Sequence, residues 1–170
     1  MPEPNGAAGW PVAELGALGR LRVIAGATDG AFCATRRFDA PPELVWEVAA
    51  DLEHELPHLL PGVRSFTPEA AVPDGERFRA VAVSRLGHRE TFEVLLRPGW
   101  CLMRSRILLG AMAAEPEDGG TRFGYLTGYR LPGGGRLGGG VLGALRRPGA
   151  GARGEALFER LRRRIEARGA

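Results

Sequence analysis

The sequence contains no lysine, and all 23 of its basic residues are arginine. This absence excludes catalysis through a Schiff-base lysine and excludes a phosphate-binding loop of the kind that needs a lysine. There are only two cysteines, Cys33 and Cys101, and neither lies in a CxxC pair, so a disulfide framework is excluded as well. Both fall in predicted strands, where a buried thiol behaves as a small apolar side chain.

No apolar run is long enough to cross a bilayer. The first residues include Glu3 and no positively charged leader before an apolar block, so we expect no secretory signal. Hydrophobic residues make up 44% and charged residues 25% of the chain, which is typical of a soluble globular protein. We therefore expect a reduced, cytoplasmic protein, with a flexible extension at 1–19 and a single folded domain at 20–170.

The net charge of +3 is mild, and the one dense basic block consists of Arg160, Arg162, Arg163 and Arg164. Basic residues near the end of a helix complement its macrodipole, so a solvated helix end accounts for this block. We expect no nucleic-acid partner. An acidic membrane surface or a partner protein is an alternative use that the sequence leaves open.

The segment from Phe38 to Leu52 predicts a strand, a proline turn and a short helix in succession. Pro41 and Pro42 cannot lie inside a β-ladder, but they suit the first turn of a helix. Apolar and acidic residues then alternate at helical spacing, which predicts a helix at 42–51. A second short helix is predicted at 52–60, broken at Pro57.

Glycine-containing turns divide most of the remaining chain into short segments typical of strands. The turn Thr28-Asp29-Gly30 predicts two flanking strands, at 21–27 and 31–38. An antiparallel meander follows, with strands predicted at 63–68, 77–84, 88–96, 100–108, 111–115 and 121–131. A C-terminal helix is predicted at 152–167, with an apolar stripe made of Ala156, Leu157, Leu161 and Ile165.

Alternation along the predicted strands indicates one apolar, aromatic face and one wet face. In the last strand, Phe123, Tyr125 and Tyr129 share a face opposite Arg122 and Arg130. An antiparallel sheet with one apolar face and a terminal helix to cover that face is an α+β architecture.

The opening motif and two later features resemble the START-like (SRPBCC) superfamily over residues 31–168. They are Ala40-Pro41-x-Glu43-Leu44-Val45-Trp46 with Asp51-Leu52-Glu53, then Pro61-Gly62-Val63, and Gly119-Gly120-Thr121 before the last strand. That superfamily includes the birch-allergen fold, polyketide aromatase/cyclases, and quinone or lipid carriers. The resemblance implies a helix-grip fold, in which a curved sheet of about seven strands surrounds the C-terminal helix, with two short helices after the first strand. It also implies an apolar cavity between sheet and helix.

From this resemblance we expect the protein to bind or carry a polyketide-, quinone- or lipid-like molecule in that cavity, with no cofactor. The identity of the ligand and the oligomeric state stay open. The residues expected to line the cavity are Trp46, Phe66, Phe78, Phe92, Val94, Met103, Phe123, Tyr125, Tyr129, Val141 and Leu145.

The alternative is a polyketide cyclase or dehydratase that moves protons on a bound chain. His58, Arg104 and Tyr129 are its acid/base and oxyanion candidates. Leu96 and Leu56 stand where aromatase/cyclases carry an arginine and a tryptophan, which weighs against this alternative.

Two short motifs match known signatures without the structural context that those signatures need. His54-Glu55-Leu56-Pro57-His58 has the letters of a zinc-protease motif, but Pro57 spoils the required helix, so we expect no metal site. Gly133, Gly135 and Gly138 have dinucleotide-binding spacing. They follow the last strand, however, and no further strand is left to complete a parallel unit.

Overall fold

The computed structural model describes residues 15–71, 76–129 and 150–169. Four helices and seven strands are found in this part of the chain. In chain order they are α1 (Ala17–Ala27), β1 (Phe32–Phe38), α2 (Pro42–Ala50), α3 (Leu52–Leu59), β2 (Val63–Ala71), β3 (Arg77–Ser84), β4 (Arg89–Arg97), β5 (Trp100–Arg104), β6 (Leu108–Glu117), β7 (Gly120–Tyr129) and α4 (Ala150–Gly169).

The strands form one curved antiparallel sheet in the order β1-β7-β6-β5-β4-β3-β2. Strands β2 to β6 are each paired with the next strand along the chain, and β1 pairs with β7 at the edge of the sheet. One face of the sheet packs against α4, and α2 and α3 follow β1 as two short helices. This arrangement confirms the predicted α+β helix-grip architecture.

Helices α2 and α3 form where the proline turn predicts them. Pro42 occupies the first turn of α2, which buries Val45 and Val48. The Asp51 carboxylate then caps α3 by accepting the His54 N–H at 3.4 Å. The predicted break at Pro57 is wrong, because α3 continues through this residue to Leu59 and its last turn is closed by other backbone hydrogen bonds.

The predicted strand at 21–27 is also wrong, because this segment belongs to helix α1. Leu18 and Leu21 lie one turn apart and are only 6% and 0% exposed, whereas Val23 is 58% exposed. The segment is short, and its apolar residues fit the spacing of a strand as well as that of a helix. The packing of Leu18 and Leu21 against the sheet selects the helix. Residues 17–19, which we expected in the extension, belong to the same helix.

Helix α1 lies on the sheet face opposite α4, so the prediction that this face is wet is wrong in this region. A Cβ atom at Gly124 would lie 2.6 Å from Leu21 Cδ2 and 2.8 Å from Leu18 Cδ2, so the absence of a side chain there makes room for the helix. The start of α1 is held by Glu115, whose Oε1 accepts the Leu18 N–H at 3.0 Å. A second apolar cluster results, composed of Leu18, Leu21, Trp100, Leu109, Ala111, Ala113 and Leu126.

The predicted strand at 100–108 is divided into two. The Ser105 hydroxyl accepts hydrogen bonds from the backbone N–H groups of Ile107 at 3.2 Å and Leu108 at 2.9 Å. This local turn ends β5 at Arg104 and starts β6 at Leu108. The resulting β6 extends the strand predicted at 111–115 in both directions.

Aromatic side chains fill the middle of the space between the sheet and α4. The rings of Phe38, Phe123 and Phe158 pack edge to face, with centroids 6.2 to 6.4 Å apart. Phe66 packs against Phe92 at 6.1 Å in the same core cluster.

Candidate ligand cavity

A cavity of about 1040 Å³ opens at the end of the sheet where β1 begins and β7 ends. The α1–β1 connector, the α3–β2 connector and the first turns of α4 supply its other walls. Its lining residues are Ala25, Thr28, Asp29, Gly30, Ala31, Phe32, Leu59, Leu60, Pro61, Gly62, Tyr125, Thr127, Tyr129, Ala152, Arg153, Gly154, Ala156, Leu157 and Arg160.

The apolar part of the lining comes from Phe32 at the start of β1, Leu59 at the end of α3, and Leu157 on α4. Phe32 packs tightly onto α4 because residue 154 is glycine. A Cβ atom there would lie 2.6 Å from the Phe32 Cζ atom. Leu157 joins this wall to the main core. An apolar molecule in the cavity would thus rest on the edge of that core.

Hydroxyl groups line the wall formed by β7, where Tyr125, Thr127 and Tyr129 project from the inner face of the strand. Burial raises the pKa of the Tyr125 phenol, and a hydrogen bond with Thr127 opposes that rise. Tyr125 therefore stays protonated at neutral pH and can donate a hydrogen bond to a ligand oxygen. It is not a general base at this pH.

Three charged side chains complete the lining: Asp29, Arg153 and Arg160. Arg160 is half-buried, and its Nη1 donates a hydrogen bond to the backbone oxygen of Leu59 at 3.2 Å. This contact connects α4 to the end of α3. The wall can thus offer the Arg160 guanidinium group to a bound molecule beside its apolar surface.

Of the expected lining residues, Tyr125 and Tyr129 contact this cavity. Val141 and Leu145 lie outside the described residues. The others are buried in the main core or packed against it, namely Trp46, Phe66, Phe78, Phe92, Val94, Met103 and Phe123. Their side chains thus belong to the apolar core or pack against it, and they are not part of the cavity lining.

The three candidate catalytic residues are not brought together. His58 is exposed on α3 and is not part of the cavity lining. Arg104 lies on the outer face of the sheet, where its Nη2 is 2.9 Å from Glu93 Oε2 on the neighbouring strand. Tyr129 alone lines the cavity, at the end of β7.

Sequence reasoning did not identify Phe32, the two connectors or Arg160 as parts of a site. The nearest signal was Gly154, a buried glycine within a helix, which indicates a close approach by another side chain. Arg160 was assigned to a solvated basic block. Its contact with Leu59 depends on the path of α3, which local sequence does not give.

Within the basic block, Arg162 and Arg163 are exposed on the surface of the helix, whereas Arg164 is held in an ion pair, which corrects its interpretation as part of a solvated helix end. Arg164 donates two hydrogen bonds to Glu55, at 2.6 and 2.8 Å, and Arg168 contacts both Glu55 and Asp51. The Arg164 hydrogen bonds, opposed by burial, hold the pKa of Glu55 below its usual range. These pairs fasten the end of α4 to α2 and α3, and they occupy the glutamate of the zinc-protease-like motif.

Within the described ranges, no group of three or more His, Cys, Asp and Glu side chains is placed to hold a metal ion. Helices long and apolar enough to span a membrane are likewise absent from the part of the chain that the structure describes.

Several solved structures share this fold. Protein TTHA0849 from Thermus thermophilus is 26% identical, with a TM-score of 0.61 over 82% of this chain and 99% of that one. The Zhui aromatase/cyclase from Streptomyces sp. R1128 is 16% identical, with a TM-score of 0.61 over 82% of this chain and 95% of that one. Ara h 8.0201 is 13% identical, with a TM-score of 0.52 over 81% and 97% of the two chains. None of the curated proteins matches this chain.

The family described as polyketide cyclase / dehydrase and lipid transport matches residues 31–166. Its description names polyketide cyclases, dehydrases and lipid transport, and each of these roles requires a site for a hydrophobic molecule. The match covers more than half of the sequence and includes every strand of the sheet. The chain therefore belongs to the polyketide cyclase / dehydrase and lipid transport family.

Proposed function

We propose that this protein binds or carries a hydrophobic small molecule of the polyketide, quinone or lipid type in the cavity beside α4. The observation that carries the proposal is the cavity itself, which has a volume of about 1040 Å³. Ligand pockets for small molecules commonly have volumes of roughly 300–1,000 Å³, with an apolar lining and a few convergent polar groups. Phe32, Leu59 and Leu157 supply the apolar lining, and Tyr125 and Thr127 supply hydroxyl groups.

Hydrophobic burial provides the free energy for binding. Each Å² of apolar surface removed from water contributes about 25 cal/mol, before the costs of ordering ligand and side chains. We therefore expect micromolar affinity for a lipid- or ring-sized molecule that fills this cavity. Hydrogen bonds from the β7 hydroxyls orient the molecule rather than provide most of the affinity.

Binding is favoured over cyclisation by the placement of the candidate catalytic groups. A general base must lie within hydrogen-bond reach of the proton that it removes. His58 and Arg104 are not among the cavity residues, so of the three candidates only Tyr129 lines the cavity. Cyclisation is the alternative that the family description allows. The observation that would support it is turnover of a poly-β-keto thioester.

The first test fills the cavity with a side chain of the protein itself. Ala156 lines the cavity and is half-buried, so Ala156→Phe places a ring in the ligand volume. Ala167→Phe is the matched control, because Ala167 is exposed on the same helix outside the cavity lining. The probe is N-phenyl-1-naphthylamine, a neutral compound that fluoresces strongly in apolar sites.

We expect Ala156→Phe to weaken probe binding at least tenfold, on the order of 1.4 kcal/mol, while Ala167→Phe binds like the wild type. Native mass spectrometry of protein purified from its own host should also detect a co-purifying small molecule with the wild type and not with Ala156→Phe. Equal probe affinity for all three proteins would contradict the proposal. Turnover of a poly-β-keto thioester by the wild type would favour the cyclase alternative.

A further inference from the structure

The arginines on α4 differ in their partners. Arg162 pairs with Glu159 and Glu166, and Arg164 and Arg168 both pair with Glu55. Arg160 is different. Among the described residues no carboxylate lies within ion-pair distance of its guanidinium, and its hydrogen bond goes to the neutral backbone oxygen of Leu59.

Arg160 is also half-buried in the cavity wall, next to the apolar side chains of Leu59 and Leu157. A guanidinium group stays protonated in proteins, so it brings a full positive charge to this wall. A partly desolvated charge without a counter-charge is unfavourable, and an anion in the cavity would relieve this cost. The Leu59 oxygen uses one of the five N–H donors of the group, which leaves others for a ligand.

The described lining of the cavity holds two further charged side chains, Arg153 and Asp29, whose charges are of opposite sign. Arg153 lines the cavity seven residues before Arg160, about 10 Å along the same helix. Asp29 is the one carboxylate among the described lining residues, so the described lining, with Arg160 included, holds two positive charges and one negative charge. The two nearby glutamates of α4, Glu155 and Glu159, are paired with Arg36 on β1.

From this arrangement we propose that the cavity takes an amphiphilic anion, with its carboxylate or phosphate on Arg160 and its apolar part against Phe32, Leu59 and Leu157. The inference rests on the proposed ligand-binding function and names the class of ligand. Arg160 is then the residue that selects acids over neutral molecules of the same length. The hydroxyl groups of Tyr125 and Thr127 face the remaining polar atoms of the ligand.

The alternative role of Arg160 is structural, because Leu59 is the last residue of α3 and a basic group stabilises the carbonyl end of a helix. A purely structural role would affect all ligands alike. Arg160→Gln distinguishes the two roles, since glutamine can still donate a hydrogen bond to the Leu59 oxygen while the charge is removed. Arg163→Gln is the matched control, because Arg163 is exposed on the same helix and does not line the cavity.

The experiment measures dissociation constants for dodecanoate, monododecyl phosphate and dodecan-1-ol by displacement of N-phenyl-1-naphthylamine. We expect the wild type to bind at least one of the two anions more tightly than the alcohol. Arg160→Gln should weaken anion binding by about tenfold, which is the usual effect of one hydrogen bond to a charged group. Its affinity for dodecan-1-ol should stay within about twofold of the wild type, and Arg163→Gln should change neither.

The tighter of the two anions shows whether the headgroup is a carboxylate or a phosphate. The inference is overturned if the wild type binds the alcohol as tightly as both anions, or if Arg160→Gln weakens all three alike. In either case the proposed ligand-binding function stands. If the wild type binds none of the three compounds and no probe, the proposed function fails together with the inference.

Discussion

At the scale of single residues, the one fully buried charged group in the described part of the chain is the carboxylate of Glu55. Its side chain is only 2% exposed and accepts hydrogen bonds from Arg164 and Arg168. A buried charge is tolerated only when it is paired and hydrogen-bonded. Glu55 therefore joins α3 to α4 through ion pairs that form only in the folded state.

Replacing Glu55 by glutamine should lower the free energy of unfolding by about 2 kcal/mol at pH 7. This is less than the roughly 3–5 kcal/mol for breaking a fully buried pair, because the side chains of Arg164 and Arg168 are 40% and 31% exposed. Urea denaturation provides the measurement. Glu166→Gln is the control, since this exposed carboxylate pairs with Arg162 and should change stability by no more than about 0.5 kcal/mol. Equal effects of the two substitutions would contradict the assignment.

The stability conferred by Glu55 should depend on pH in one direction. Hydrogen bonds from Arg164 lower the pKa of Glu55 in the folded state, while its unfolded value stays near the usual ~4.3. A group with a depressed folded pKa stabilises the protein above its unfolded pKa and loses this contribution as pH falls through the folded value. The difference in unfolding free energy between wild type and Glu55→Gln should therefore be constant near neutrality and shrink below about pH 4. A difference that grows in acid would be inconsistent with this account.

At the scale of elements, helix α1 buries part of the outer face of the sheet, which would otherwise be exposed. It covers the outer face of β6 and β7, and its connector to β1 supplies Thr28 and Asp29 to the cavity. The residues of α1 precede the segment that matches the family, which begins at residue 31. One wall of the cavity therefore comes from outside the segment shared with the family.

The packing of α1 on the sheet can be tested at Gly124. Valine favours strands in general, but its Cβ atom here would collide with the Leu18 and Leu21 side chains. Gly124→Val should lower the unfolding free energy by about 1–3 kcal/mol through overpacking. It should also speed tryptic cleavage after the exposed Arg20 and Arg22 of α1.

Gly26→Ala provides the control within the same helix. A Cβ atom at Gly26 meets nothing within 4 Å, so alanine should stabilise α1 slightly through its higher helix propensity. Slower or unchanged cleavage is expected with this variant. If Gly124→Val were as stable and as resistant to trypsin as the wild type, the packing of α1 described here would be wrong.

Sequence alone predicted the elements whose signals are local. The pair Pro41-Pro42 fixed the start of α2 because proline restricts the backbone wherever it occurs. The sequence did not predict helix α1, because the residues of β6 and β7 on which it packs lie nearly a hundred positions away along the chain. A usable signal was present in the small outward residues Ala111, Ala113 and Gly124, which indicate that another element packs on this face.

At the scale of the whole molecule, the fold was predictable and the position of the cavity was not. The opening motif indicated the helix-grip fold, and strand alternation identified the inner face of the sheet. Whether that interior is hollow depends on how side-chain volumes fill it in three dimensions. Phe38, Phe123 and Phe158 close the middle of the interior, and free volume is left at the end where β7 meets α4.

The central claim is that a hydrophobic ligand occupies this end cavity. The most direct measurement is the set of intermolecular nuclear Overhauser effects between bound N-phenyl-1-naphthylamine and the protein. We predict contacts from the probe to the Phe32 ring and to the methyl groups of Leu59 and Leu157. Contacts to the core side chains of Val94 and Met103 without any to these three residues would contradict the account.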